Sequence, residues 1–97
     1  MVYWVYILRS IKDKKLYVGC TNNLDSRLKR HSAGFVDATK HRRPLTLIHS
    51  EIFQDRIMAF NRERFLKSLW GAREKKKILK NFLADNKCAA KSIRKAN

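Results

Sequence analysis

The sequence predicts a small α+β domain, with a three-stranded antiparallel sheet flanked by about three helices in the order β-β-α-β-α-α. Three observations predict this class. Residues 2–8 are apolar at every position and rich in β-branched and aromatic side chains, which is typical of a central strand buried on both faces. A short polar link joins this run to a second strand. Further along, one more strand pattern lies between segments of helical spacing.

The first two strands, residues 2–8 and 15–20, are predicted to form an antiparallel hairpin because the link between them is short and contains Asp13. With a four-residue loop, Tyr6 lies opposite Tyr17, Gly19 lies opposite Trp4, and both tyrosines face one side of the sheet. A slip of the register by one residue would separate the tyrosines. In the predicted register, Gly19 leaves an opening where a phosphate can approach the sheet.

The remaining elements follow from capping residues and from glycines that end helices. Thr21, Asn22 or Asn23 can cap the first helix, and Asp55 caps the second. A glycine follows the end of each of these helices. The predicted ranges are a helix to about residue 32, a basic loop over 34–44, a strand over 45–53, a helix from 56 to about 70 and a helix from 72 to about 86.

The chain of 97 residues is long enough for one domain. Residues 1–86 are predicted to form that domain. Residues 87–97 are predicted to be a flexible basic tail, because residues 89–97 contain a single apolar side chain larger than alanine. No repeat or linker divides the sequence.

The formal net charge is +15, from 23 Lys and Arg against 8 Asp and Glu. This excess predicts a polyanionic partner, because each neutralised phosphate of a nucleic acid releases condensed counterions. A surface that serves solubility or contact with the ribosome is the alternative. An anionic membrane is not expected as a partner, since no segment combines a basic face with a long apolar one.

The cysteines and the first apolar run predict a cytoplasmic location. Cys20 and Cys88 are the only two cysteines and do not form a C-x-x-C motif, which favours reduced thiols. The run over residues 2–8 is too short for a membrane helix or a signal peptide.

Tyr6, Tyr17 and Arg27 offer the groups that phosphodiester hydrolysis requires, namely a positioned water and positive charge beside the phosphoryl oxygens. A tyrosine hydroxyl can hold the water, and it can accept a proton if a metal or an arginine lowers its pKa. An arginine matches a phosphate through its planar fork. For each tyrosine alone, core packing with the hydroxyl at the sheet edge explains the position equally well.

The first helix places Arg27 and His31 on the same stripe as Leu24 and Leu28. Arg27 is therefore predicted to lean toward the sheet, whereas the basic residues that follow it face water. A charged group at a half-buried position usually has a partner. For His31, a histidine satisfied at the end of a helix is as good an explanation as a catalytic role.

Glu63 is the best candidate ligand for a divalent metal, because its neighbours on the predicted helix face are apolar apart from Lys67. An ordinary surface ion pair with Lys67 is the alternative. Arg62 has similar apolar neighbours, so spacing alone does not decide. A lone carboxylate suits Mg²⁺, which keeps most of its waters and takes substrate oxygens as ligands.

These residues resemble the signature of the GIY-YIG nuclease family. Trp4-Val5-Tyr6 stands in the place of Gly-Ile-Tyr, and Tyr17-Val18-Gly19 stands in the place of Tyr-Ile-Gly. Asn23-Leu24 and Arg27-Leu28 follow at the family's spacing. The resemblance covers most of the chain and is greatest to small stand-alone bacterial GIY-YIG proteins. The N-terminal nuclease domain of the excision-repair protein UvrC is more distantly similar.

The resemblance implies a GIY-YIG-type fold and a metal-dependent endonuclease that hydrolyses DNA phosphodiester bonds in repair or processing. It implies that Glu63 holds one Mg²⁺ (or Mn²⁺), that Tyr6 and Tyr17 orient or activate water, and that Arg27 stabilises the phosphate. His31 matches a histidine common in the small members. Which tyrosine, or His31, takes the proton stays open. The expected nucleic-acid contacts are Gly19, Lys29, Arg30, Lys40, Arg42, Arg43, Lys67, Lys75 and Lys76.

Three positions depart from the family pattern. Trp4 replaces the first glycine of the signature, and Cys20 stands where some members have lysine. No asparagine falls at the usual distance after Glu63, since Asn81 is later. A nucleic-acid-binding module without catalysis is one alternative, and a nuclease subunit that needs a protein partner for specificity is another. RNA as the substrate and a homodimer as the assembly stay open.

Overall fold

The computed structural model describes residues 1–96, with side chains described for residues 1–85. Its three strands form one antiparallel sheet in the order β2-β1-β3. The strands are β1 (Tyr3–Ser10), β2 (Leu16–Thr21) and β3 (Leu45–Phe53). The apolar first strand is therefore the central one, as its composition predicted. The predicted α+β class and the element order β-β-α-β-α-α are confirmed.

Three helices accompany the sheet: α1 (Leu24–Ala33), α2 (Arg56–Lys67) and α3 (Ala72–Ala96). Of the three candidate caps for α1, Asn23 is the one used, and its side chain accepts a hydrogen bond from the Ser26 backbone N–H. Gly34 ends the helix in the left-handed region at φ 86°, where a residue without Cβ is favoured. The tail predicted over 87–97 lies beyond the residues whose side chains are described.

The hairpin register differs from the predicted one by two residues. Tyr6 pairs with Gly19, and Tyr17 pairs with Leu8. The predicted pairing of Tyr6 with Tyr17 and of Gly19 with Trp4 is therefore wrong. The reason is that the turn lies one residue further along than predicted: the Ser10 N–H donates to the Lys15 carbonyl, so the four-residue loop is 11–14 and not 10–13. Because side chains alternate with a period of two, this offset leaves both tyrosines on the same face of the sheet.

The two faces of the sheet have different roles. One face packs against α2 and α3 and forms the apolar core. The other face carries Tyr6 and Tyr17 and lies toward α1, so the candidate site is separated from the main core by the sheet itself. The buried core residues are Val5, Ile7, Val18, Ile48, Ala59, Leu66 and Ile78.

The second helix ends earlier than predicted, at Lys67 instead of about Trp70. Ser68 adopts an extended conformation, and both its N–H and its hydroxyl donate to the Phe65 carbonyl. A 3₁₀ turn over Leu69–Gly71 follows and leads directly into α3. A second 3₁₀ turn, Lys40–Arg42, lies within the predicted basic loop. Within the described residues, no helix is both long enough and apolar enough to cross a membrane.

Candidate active site

Three rings meet on the open face of the sheet. The ring centroids of Tyr6 and Tyr17 lie 6.4 Å apart, and His31 approaches them at 5.7 Å and 5.2 Å with its edge toward their faces. Tyr6 and His31 are almost fully buried, whereas Tyr17 is half-buried. The three side chains predicted from the sequence spacing therefore form one cluster, and Tyr17 is its exposed member.

A chain of hydrogen bonds runs through the cluster. The hydroxyl of Tyr6 lies 2.9 Å from Nε2 of His31, and Nδ1 of His31 lies 2.8 Å from the hydroxyl oxygen of Thr39. Thr39 is fully buried in the loop after α1. Its role was not predicted, because nothing in the local sequence marks a threonine inside a basic loop. The only available signal is general: a buried histidine needs a partner for each ring nitrogen.

Burial determines the protonation states of Tyr6 and His31 in this hydrogen-bonded series. It raises the pKa of Tyr6 to about 12, so the phenol keeps its proton at neutral pH. Burial, followed by the charge of Arg27, lowers the pKa of His31 and keeps the imidazole neutral. A neutral histidine has one donor and one acceptor nitrogen. If Tyr6 donates to Nε2, then Nδ1 carries the proton and donates to Thr39, which defines the tautomer.

We expect the buried, neutral His31 to make folding stability depend on pH. An unfolded chain takes up a proton on histidine near pH 6.5, whereas folded His31 does so only at lower pH. Between these two values the unfolded state binds more protons, so stability falls as the pH drops below about 6.5. It levels off below the folded pKa. Melting temperatures of wild type and His31→Gln, measured from pH 7.5 to pH 5, check this.

The other two histidines are present in both proteins, so the difference between the two melting curves reports on His31 alone. We expect the acid slope to be shallower in His31→Gln. An equal slope in the two proteins would contradict the buried neutral state.

Arg27 completes the cluster, as its position on the helix stripe predicted. Interaction with the nearby Tyr6 hydroxyl raises the pKa of Arg27, burial opposes this, and Tyr17 adds a smaller increase. The guanidinium is thus permanently charged and lies close to both tyrosines. Its Nε atom is buried and has no hydrogen-bond partner among the described residues. An arginine with unfilled donor capacity beside two hydroxyls is suited to an anionic ligand.

The opening expected at Gly19 is filled. Gly19 lies directly across from Tyr6, and a Cβ atom built on Gly19 would overlap the Tyr6 ring at Cζ and the hydroxyl. The glycine therefore makes room for the tyrosine ring, and the ring occupies the space predicted for a phosphate. This close approach explains why a residue without a side chain stands at this position.

Glu63 borders an open cleft of about 450 Å³ at the end of β2. Its side chain is 14% exposed, and its negative charge makes a small contribution to the raised pKa of Tyr6. The cleft itself is not lined by Tyr6, Tyr17, Arg27 or His31. Burial, then Glu63, raises the pKa of Cys20 in the same cleft, so that thiol stays protonated at neutral pH. The cleft is lined by Tyr3, Cys20, Thr21, Asn22, Arg56, Phe60 and Glu63.

The ion pairs of α2 bear on the two alternatives to Glu63 as a metal ligand, namely a surface pair with Lys67 and a similar environment for Arg62. Lys67 lies 3.0 Å from Oε2 of Glu63, so the ordinary i,i+4 pair does form, and Glu63 has no second ion pair among residues 1–85. Arg62 is instead held by Glu51 on β3, through Nε at 3.0 Å and Nη2 at 2.9 Å. Arg62 is thus a structural residue, and Glu63 is the one that borders the cleft.

The basic residues predicted to contact nucleic acid differ in how far they are available for binding. Lys29, Arg30, Lys40 and Lys76 are exposed. Arg42 pairs with Asp13 at 3.1 Å, and Arg43 donates to the carbonyls of Lys40 and Ser32, so both tie the basic loop to its surroundings. Lys75 is half-buried on α3. Lys40 lies 3.5 Å from Asp37, and Lys67 is paired with Glu63. Among the described residues, the exposed basic side chains of this set without an ion pair are therefore on α1 and α3.

A model of the GIY-YIG catalytic domain matches residues 2–77 of this chain. The chain belongs to the GIY-YIG family. The matched segment includes all three strands together with α1 and α2, and it therefore contains the tyrosine cluster, Arg27 and Glu63.

Similar proteins place it within one group of this family. A UPF0213 protein of Clostridium perfringens is 42% identical over 67 residues, covering 68% of this chain and 71% of that protein. A UPF0213 protein of Natronomonas pharaonis is 36% identical over 77 residues, covering 78% and 89%. The solution NMR structure of a UPF0213 protein from Bacillus halodurans has a TM-score of 0.53 and 32% identity, covering 82% and 84%. The predicted resemblance to small stand-alone GIY-YIG proteins is thus confirmed.

Proposed function

We propose that this GIY-YIG protein is a metal-dependent endonuclease that hydrolyses DNA phosphodiester bonds in repair or processing. The observation that carries the proposal is the permanently charged Arg27 guanidinium beside Tyr6 and Tyr17, on the face of the sheet against which His31 also packs. A fixed cation beside an accessible hydroxyl provides the two functions that hydrolysis of a phosphodiester needs most: charge stabilisation and orientation of water.

Arg27 is proposed to bind the scissile phosphate. Its charge is fixed at every relevant pH, and its neighbours orient it without neutralising it, because they are hydroxyls and not carboxylates. The pentavalent transition state carries more negative charge on its oxygens than the ground state does. A preorganised guanidinium therefore stabilises the transition state more than the bound substrate.

Tyr17 is proposed to position the attacking water, since its ring is half-buried and Tyr6 and His31 are not accessible. Tyr6 has a pKa of about 12 and is a poor proton acceptor at neutral pH. In this proposal, Tyr6 and His31 hold Arg27 and Tyr17 in place, with Thr39 fixing the imidazole from behind. The water's proton leaves through the Tyr17 hydroxyl to solvent or to substrate.

The residues present fit a divalent cation of the Mg²⁺ or Mn²⁺ type. Such a cation prefers oxygen ligands and is commonly bound by one carboxylate together with water and substrate phosphate. Glu63 offers a mostly buried carboxylate in the lining of an open cleft. The described residues contain no group of three or more His, Cys, Asp or Glu that could hold a metal without substrate. When bound, the cation would supply positive charge to the phosphate and the leaving oxygen.

DNA is the proposed substrate class, with RNA open, because the exposed lysines and arginines recognise phosphates and not a particular sugar. One observation favours the alternative, a nucleic-acid-binding module without catalysis. Lys67 already neutralises Glu63 at 3.0 Å, and a metal would have to compete with it or bind the second oxygen. A protein partner that confers specificity, a homodimer and a cytoplasmic location remain predictions from the sequence.

A nicking assay on supercoiled, branched and single-stranded DNA tests the proposal, with and without Mg²⁺ or Mn²⁺. We expect wild type to cleave only with metal, and Tyr17→Phe and Glu63→Gln to lose cleavage by roughly 100-fold or more while they keep binding. Lys67→Gln is the matched variant on the same helix and is expected to retain cleavage or increase it. Binding without any metal-dependent nicking would support the binding module. Equal cleavage by wild type and Glu63→Gln would remove Glu63 as the ligand.

A further inference from the structure

Two large apolar side chains project from a rigid turn between α2 and α3. Leu69 is 92% exposed and Trp70 is 84% exposed. The turn that carries them is not loose. Ser68 is bonded twice to the Phe65 carbonyl, and the Gly71 N–H donates to the Ser68 carbonyl at 3.1 Å.

Gly71 explains why the backbone of this turn is fixed against α2. It is buried, and a Cβ atom there would collide with the backbone of Phe65 and Leu66, so the turn is packed directly onto the end of α2. The backbone that carries Trp70 is therefore held at the surface. An exposed tryptophan in a fixed turn has no role in the core, and large exposed apolar groups of this kind usually mark a contact surface.

The charges around the turn indicate the chemistry of the partner. The start of α3 carries Arg73 and Lys76, both exposed, whereas Glu74 and Lys77 line a separate cleft against β3. A partner at this surface must therefore be an anion that also offers flat apolar surface. Unpaired nucleotides have both properties, because each has a phosphate and a base with a π-face.

Trp70 is also the available ring on this side of the molecule. The two exposed phenylalanines of α2 each lie under an arginine: Phe60 under Arg64 at 5.8 Å and Phe65 under Arg62 at 5.6 Å. No such cation lies over Trp70 among the described residues. Its two faces are therefore open to a stacking partner.

We propose that Leu69 and Trp70 form a stacking platform for unpaired bases, with the basic start of α3 holding the adjacent phosphates. The platform gives the protein a preference for single-stranded or locally opened DNA over uniform duplex, since bases in a duplex are already stacked on each other. The inference rests on the proposed function only in taking a polynucleotide as the substrate, and it requires no catalysis.

Tryptophan fluorescence tests the platform directly, because the chain has two tryptophans. In a Trp4→Phe background, whose fold is checked by circular dichroism, Trp70 is the single indole. We expect oligo(dT) added in EDTA to quench this fluorescence in proportion to binding. The matching oligo(dT)·oligo(dA) duplex is expected to quench it much less at equal occupancy, as measured by anisotropy of the labelled DNA.

Affinity measurements on variants complete the test. Trp70→Ala is expected to bind oligo(dT) about 5- to 150-fold more weakly, the range for loss of one stacked base, and Trp70→Phe is expected to recover most of the affinity. Ile57→Ala removes another exposed apolar side chain from α2 and is expected to change nothing. Unquenched fluorescence together with unchanged affinity of Trp70→Ala would overturn the platform. Loss of a dimer in Trp70→Ala, with DNA affinity intact, would overturn it in favour of a protein interface.

These outcomes are separate from those of the nicking assay. Quenching by oligo(dT) in a protein that never cleaves would leave the platform standing and remove the nuclease. Cleavage without quenching would support the nuclease and overturn the platform.

Discussion

Arg27→Ala is expected to lower the rate of DNA cleavage by about 100- to 1,000-fold at saturating substrate. The guanidinium is a fixed positive charge close to Tyr6 and Tyr17, and a fixed charge stabilises the reaction most where negative charge develops in the transition state. Its loss should therefore affect the chemical step more than binding. Single-turnover cleavage of a plasmid with saturating protein measures this step.

Arg30→Ala is the matched control, because it removes the same charge from the same helix. Arg30 is exposed and lies one turn nearer the end of α1, away from the rings. We expect Arg30→Ala to lower the affinity for DNA slightly and to make that affinity slightly less dependent on salt. The cleavage rate at saturating protein is expected to stay unchanged. Equal loss of rate in both variants would mean that Arg27 acts through the overall charge of α1. Unchanged cleavage by Arg27→Ala would remove it from the site.

Much of the fold was predictable because its signals are local. The bounds of β3 agree with the predicted range 45–53, and the caps at Asn23 and Asp55 lie where short polar side chains precede helices. The end of α2 was not predictable in this way. The apolar spacing continues past Lys67, whereas the helix is ended by contacts of Ser68 and Gly71 that depend on the packing of the turn.

The candidate site shows the same division between local and long-range information. Helix periodicity placed Arg27 toward the sheet, and strand periodicity placed both tyrosines on one face. The register was missed because a two-residue offset preserves that alternation, so the apolar pattern cannot distinguish the two pairings. Thr39 was missed for a different reason. Its contact with His31 spans eight residues of irregular chain, and no periodicity describes such a segment.

The observed pairing of Tyr6 with Gly19 predicts a large effect of substitution at Gly19. Gly19→Ala is expected to destabilise the fold by about 1–3 kcal/mol, since the added methyl group overlaps a buried ring that is held by His31 and cannot swing aside. For a domain of this size, each kcal/mol lowers the melting temperature by about 4–8 °C. Displacement of the Tyr6 ring should also break its 2.9 Å contact with His31 and reduce cleavage. Urea unfolding and the nicking assay measure the two effects.

A double-mutant cycle with Tyr6→Leu separates overlap with the ring from a general cost of alanine in β2. Leucine lacks the Cζ and hydroxyl atoms that the new methyl group would meet, so Gly19→Ala should cost much less in the Tyr6→Leu protein than in wild type. The difference between the two costs is the coupling of Gly19 with the tyrosine ring. Equal costs in the two backgrounds would show that Gly19 is required by the strand and not by Tyr6. A large coupling would instead identify the glycine of the second signature motif as the residue that admits the tyrosine of the first.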